Sequence, residues 1–287
     1  MSPEINETNF PIGQPVDLVV LAVKQSAIRC QILQTRQPVT WRRVRDEIEG
    51  QIITVSPTKI WRHRTTHYMT GEVIDTRLDI SALGLEPLLL HTGQEWEPAN
   101  AELPAEPEFK KYYVPIIDAG LRPSFEMEQV IPFFDSDDMD NDPIVLASEY
   151  YANGDQADAY QIMEKILTSD LRCLDAHAHL GNWAFNLSDK ADHWGNRHAK
   201  SHYEVGVKIG ELSLQQHPAA VLPWKLTNNR PLLRCLCGYG LSLWRLDQLD
   251  EAKKVFQQML FLNPFDNQGI RFLLHALDSG EPWNEFD

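Results

Sequence analysis

Long apolar runs are absent from this 287-residue sequence. The best candidate, Asp17-Leu-Val-Val-Leu-Ala-Val23, ends at Lys24, well short of the ~18 residues a membrane-spanning helix requires. No membrane partner is therefore expected. Cysteine is scarce, with only Cys30, Cys173, Cys235 and Cys237, no CxxC pair and no disulfide-framework spacing. The N-terminus carries Glu4 and Glu7 in place of a basic leader, so a secretory signal is not expected and a reducing cytoplasm is the anticipated compartment. GxxxxGK[ST], GxSxG and HExxH are all missing, and with them the phosphate loop, the nucleophile elbow and the zinc-peptidase helix. Gly238-Tyr-Gly240 lacks the third glycine of a dinucleotide fingerprint and falls within a helical pattern. Nothing assembles a nucleophile, a base and an orienting partner, so no enzyme and no cofactor are expected.

Positive charge is also in deficit: 26 Lys and Arg against 41 Asp and Glu give a formal charge of −15. That balance argues against a general nucleic-acid binder. The excess is uneven. Residues 1–91 hold ten basic and ten acidic side chains, whereas 92–142 hold three and thirteen. A step of this kind marks a linker, and six prolines from Pro98 to Pro132 exclude a long helix there. The expected division is a small β domain over 1–91, an acidic proline-rich linker over 92–142 and a helical domain over 143–287. The run from Asp135 to Asp142 lacks the turn glycine and distal glutamate of a calcium loop, so it reads as a solvated linker and helix cap.

Residues 1–91 alternate and are rich in β-branched and aromatic side chains. Candidate strands are 18–23, 27–33, 40–44, 52–56, 59–63 and 70–78, with turns at Glu49-Gly50, Ser56-Pro57 and Thr70-Gly71. Short strands without a long helical period predict a strongly bent sheet or small barrel of the SH3-like kind. From Pro143 the period becomes helical. The predicted pairs are 144–153 with 156–168, 174–186 with 200–216, and 231–246 with 249–261, closed by a helix over 266–277. The fold class is α+β, a small N-terminal barrel or bent sheet followed by an all-α array.

In the third pair Gly240, Ala252, Phe256 and Pro264 are twelve, four and eight residues apart. The glycine permits close helix approach, Ala252 fills the crossing, Phe256 packs back and Pro264 ends the helix. This segment, through Asn263-Pro-Phe-Asp-Asn-Gln-Gly269, resembles bacterial tetratricopeptide-like proteins over roughly 143–278. The resemblance implies stacked helical pairs with a concave groove for a partner protein. Tyr151, Asn182, Asn186, Arg234, Trp244 and Arg245 fall on the inner face of each pair's first helix. Amides and guanidinium groups there suit a peptide or loop bearing an acidic group. Gly238 and Ala178 stand where that family's carboxylate clamp would want basic side chains.

Two further constellations offer alternatives. Arg42, Arg43 and Arg45 beside Trp41, with Trp61, Arg62 and Arg64 leading to Tyr68, can form a patch on adjacent strands that stacks bases and contacts phosphates. The competing arrangement buries Trp41, Trp61 and Tyr68 in the core and pairs the arginines with Asp46, Glu47 and Glu49. His198 and His202, four apart on a helix, and His177 and His179 on the preceding one, offer ligand spacing for a metal-dependent enzyme. The principal expectation is a cytoplasmic adaptor that binds another protein, with RNA or single-strand binding and the metal enzyme as alternatives.

Overall fold

The computed structural model describes residues 12–24, 27–42, 47–100, 104, 106–134, 141–187 and 193–283. These form two compact units, Met1–Leu85 with Glu149–Leu171, and Glu86–Ser148 with Arg172–Asp287. No helix among the described residues is long and apolar enough to cross a membrane.

The first unit is a closed five-stranded barrel. Its strands are β1 (Val16–Lys24), β2 (Ala27–Ile32), β3 (Pro38–Trp41), β4 (Ile52–His63) and β5 (Thr66–Arg77), arranged β1-β2-β3-β5-β4. Alternation sends Leu18, Val20, Ile28, Cys30, Ile32, Val39, Trp41, Ile53, Val55 and Met69 into one core. The unbroken apolar run of β1 has a simple cause. Its inner face fills the barrel, while Val19 and Leu21 on the outer face pack with Leu83 and Leu171. Leu83 lies in the short helix α1 (Ile80–Leu83). All strand pairs are antiparallel except β3 with β5. That parallel contact makes the barrel a Greek key and not the SH3-like arrangement expected.

The predicted strands 52–56 and 59–63 are one strand. Ser56-Pro57 is a β-bulge rather than a turn: Pro57 opposes Gly71, Lys59 opposes Thr70, and Thr58 is the extra residue. Glycine is required at position 71, because a Cβ there would overlap the carbonyl oxygen of Ser56. Asp17, Thr54 and Arg77 clamp β1, β4 and β5 together. Arg77 Nη2 donates to Asp17 Oδ2 at 2.7 Å and Thr54 Oγ1 donates to Asp17 Oδ1 at 2.6 Å.

The second unit contains β6 (Leu90–Thr92), α2 (Pro107–Asp118) and β7 (Phe125–Met127), then α5 (Leu174–Leu187), α6 (His193–Leu214), α7 (Arg230–Arg245), α8 (Leu249–Leu262) and α9 (Ile270–Asp278). Between β7 and α5 run α3 (Pro143–Ala152), which crosses the division between the units, and α4 (Gln156–Ser169) of the barrel unit. The segment expected to be a linker is largely built into this second unit. Pro107 starts α2, which buries Phe109, Tyr112, Tyr113 and Ile116, and Tyr112 Oη donates to Asp278 at 2.8 Å. Apolar burial outweighs the acidic composition there. Asp142 caps α3 as expected, its Oδ1 accepting from Ile144 N at 2.7 Å, whereas 135–140 lie outside the described residues.

The first predicted helical pair is also redistributed. Its second helix, α4, packs on the barrel: Thr168 Oγ1 donates to Leu21 O at 3.2 Å and Lys24 pairs with Glu164 at 3.4 Å. In the last pair Gly240 lies against the Phe256 ring, with no room for a Cβ, and Ala252 and Phe256 are fully buried. The Asn-Pro-Phe-Asp-Asn-Gln-Gly stretch has a structural role. Asp266 Oδ1 accepts from Ile270 N at 2.5 Å, Asp266 Oδ2 accepts from Arg271 Nη1 at 2.7 Å, and Gly269 has a φ of 70°, so the stretch caps α9.

Candidate functional site

The bulge at Thr58 decides which way the aromatic residues of the hairpin point. Before it, Ile53 and Val55 face inward. The extra residue reverses the parity, so Ile60 turns toward the core and Trp61 outward. Trp61 opposes Tyr68, and Tyr68 sits beside Thr40 in the parallel pair, whereas the next residues along, Met69 and Trp41, are fully buried. The arrangement expected to hide all three aromatics therefore holds for Trp41 alone.

On the outer face the Trp61 and Tyr68 rings stack, with centroids 5.5 Å apart and planes 13° apart. The Arg42 guanidinium lies 5.3 Å from the Tyr68 centroid and the Lys59 ammonium 5.4 Å from that of Trp61. The four side chains form a row, cation–ring–ring–cation. Arg42 is fixed at the end of β3 by its backbone N–H, which donates to Met69 O at 3.0 Å. Toward the hairpin tip Arg62 Nε donates to Arg64 O at 3.0 Å, Arg64 takes a left-handed φ of 54°, and Arg62, His63 and Arg64 are exposed. From Gly50 to Gly71 the chain contains no acidic residue. Arg43 and Arg45 lie outside the described residues.

Of the acidic partners expected for these arginines, Glu49 is turned away from them. It is buried, its Oε1 accepts from Val23 N at 3.1 Å, and burial pushes its pKa up to about 7. Lys59 completes the row and was not part of the predicted patch. The period-two relation of Lys59 to Trp61 was the available signal for Lys59, but it could be used only with the bulge known.

The six predicted groove residues are divided between the two units. Tyr151 belongs to the barrel unit, where its ring lies 6.5 Å from Tyr160. The other five lie in the second unit. Asn182 Oδ1 accepts from Tyr203 Oη at 2.6 Å, and Arg234 Nη1 donates to Asp175 Oδ1 at 3.1 Å. Arg245 Nη1 donates to Phe185 O at 2.8 Å and to Asn196 Oδ1 at 3.0 Å, its guanidinium 3.6 Å from the Phe185 centroid. Trp244 is buried against Trp283, while Asn186 is exposed. Four of the five thus serve packing or helix-to-helix tethering.

His177, His202 and His198 form an aromatic row that runs from the buried first two through half-buried His198 to exposed Trp194. His202 is edge-on to His198 at 5.0 Å and 5.9 Å from His177, and His198 stacks on Trp194 at 5.2 Å. Burial, with His198 and His177 beside it, holds the His202 pKa well below its ordinary value. His179 lies 3.5 Å from Ser148 Oγ and 3.9 Å from Asp175 Oδ1, and burial lowers its pKa. Among the described residues no group of three or more His, Cys, Asp or Glu is placed to hold a metal ion. The i, i+4 spacing of His198 and His202 serves ring packing. Cys30, Cys173 and Cys235 are buried free thiols, and burial raises the Cys30 pKa to about 12.

No family model, no curated protein and no solved structure matches this chain. The functional reading therefore rests on the residues themselves.

Proposed function

We propose that the protein binds single-stranded nucleic acid on the outer face of its barrel, along the β4–β5 hairpin. One observation carries this reading: in a chain of net charge −15, the hairpin presents Lys59, Arg62 and Arg64 beside a stacked Trp61–Tyr68 pair, with Arg42 against the Tyr68 ring. Aromatic rings next to cations match the two surfaces of a single strand, its bases and its phosphates. In the free protein Arg42 and Lys59 lie against these two rings. A bound strand would replace them there with bases and receive them on its phosphates, so stacking and charge neutralisation are gained together.

Fold analogy adds support. Five-stranded Greek-key barrels of the oligonucleotide-binding type engage ligands with the face of strands 2 and 3 and with the loops that follow strands 1 and 4; the β4–β5 hairpin here corresponds to the second of those loops. The residues carry the proposal, since a fold alone does not assign a function. In the helical unit, the successive packing of α5, α6, α7 and α8 and the Gly240–Phe256 approach favour a tetratricopeptide-like reading. That unit acts as a scaffold here, because most of its candidate groove residues are engaged internally.

Ultraviolet crosslinking of a labelled single-stranded oligonucleotide, followed by peptide mapping, tests the assignment. Crosslinks are expected within the peptide holding Trp61 and Tyr68. Crosslinks confined to 172–283 would overturn it.

A further inference from the structure

The second unit contains a cavity of about 620 Å³, a volume suited to a small molecule. Its walls are held in place before any ligand arrives. Fully buried Arg122 donates to Ala219 O at 3.1 Å, to Ala220 O at 2.8 Å and to Phe261 O at 2.7 Å, with its guanidinium 5.4 Å from the Trp96 centroid. Asn229 ties Met127 N, Phe125 O and Pro223 O together at 2.8 to 3.1 Å. Trp96 exchanges backbone hydrogen bonds with Arg122, which keeps 95–97 extended. With Trp96 buried on one side, alternation puts Glu95 and Glu97 on the other, and both are exposed. Leu226 and Phe265 line the cavity too, and Phe265 is 48% exposed although it is a large apolar ring. Lys225, also exposed, completes the charged lining.

We propose that this cavity binds a small organic cation, a guanidinium or alkylammonium group on an aliphatic stem. The lining carries two carboxylates and one ammonium, so an anion is opposed, and a neutral molecule gains hydrogen bonds but no charge attraction from Glu95 and Glu97. A cation gains from both carboxylates, and an exposed phenyl face adds attraction for a guanidinium. Leu226 and Phe265 supply apolar surface for the stem. Lys225 offers a counter-charge to a carboxylate on the same ligand, so a dipolar cation such as a basic amino acid matches all three charges. The site is independent of the barrel face and of the nucleic-acid reading.

Calorimetric titration of the full chain with arginine, arginine amide, citrulline and a capped tripeptide containing arginine tests this. Arginine is expected to bind about tenfold or more tighter than citrulline, its neutral isostere, equivalent to ~1.4 kcal/mol or more. A Glu95→Gln/Glu97→Gln variant removes that preference with its melting curve unchanged, and Lys225→Met removes any preference for arginine over arginine amide. Binding of the tripeptide with the affinity of arginine amide would identify a protein side chain as the source of the cation. Weaker tripeptide binding would identify a free small molecule. Citrulline binding as tightly as arginine, an unaltered glutamine variant, or no heat with any cationic probe would each overturn the proposal.

Discussion

Trp61 is the residue on which the functional reading depends most. Its ring stacks on Tyr68 outside the core, so Trp61→Ala removes a stacking platform without opening a cavity. Affinity for a single strand is expected to fall by about 1–3 kcal/mol, with little change in melting temperature. A binding titration beside a thermal melt checks both. Gly71 gives the opposite pattern. A methyl group there collides with the Ser56 carbonyl across the bulge, so Gly71→Ala is expected to destabilise the barrel by about 2 kcal/mol or more, measured by urea unfolding. The direction of Trp61 was not legible in the sequence. Alternation alone assigns Trp41 and Trp61 to one pleat face, and the parity change becomes visible only when Thr58 is known to lack a cross-strand partner.

The same contrast between local and distant causes holds for whole elements. The last helical pair was readable because its determinants are local: Gly240 and Phe256 are a few turns apart and meet each other. The cap of α9 is local as well. Asp266→Ala is expected to cost about 1 kcal/mol and to raise amide exchange first in the opening turn of α9, followed by hydrogen-exchange mass spectrometry. Elements whose partners are remote were misassigned. Segment 107–118 looked like linker because its partner Asp278 lies at the far end of the chain. Helix α4 looked like half of a repeat because its contacts with Leu21 and Lys24 are invisible to periodicity. Arg234 and Arg245 resembled groove residues because Asp175, Phe185 and Asn196 are not sequence neighbours.

At the scale of the whole molecule, two buried groups make the units respond to pH in opposite directions. The unfolded carboxyl of Glu49 titrates near 4.5 and the folded one at about 7. The folded barrel therefore retains a proton that the unfolded chain has released. This contribution is fully present below about pH 4.5 and is lost as pH rises through 7. His202 behaves inversely: its folded pKa lies below the ordinary 6.5. Its contribution is present above pH 6.5 and is lost as pH falls below that value, where the unfolded imidazole takes up a proton first. Between pH 5 and 8, hydrogen exchange in peptides around Glu49 is expected to show declining protection with rising pH after correction for intrinsic rates, and peptides around His202 increasing protection. Glu49→Gln and His202→Phe should flatten the respective trends.

Net charge sets a stringent condition on the central claim, because an acidic chain can hold a polyanion only through a local patch. The direct test is the affinity of the full chain for a labelled single-stranded oligonucleotide across a salt series, by fluorescence anisotropy. Arg62→Glu/Arg64→Glu and Arg234→Glu/Arg245→Glu variants are compared with it. Binding is expected to weaken steeply with salt, to favour single strand over duplex, to disappear in the hairpin variant and to survive in the helical one. Salt-insensitive binding, or binding that the hairpin variant retains and the helical variant loses, would contradict the central claim.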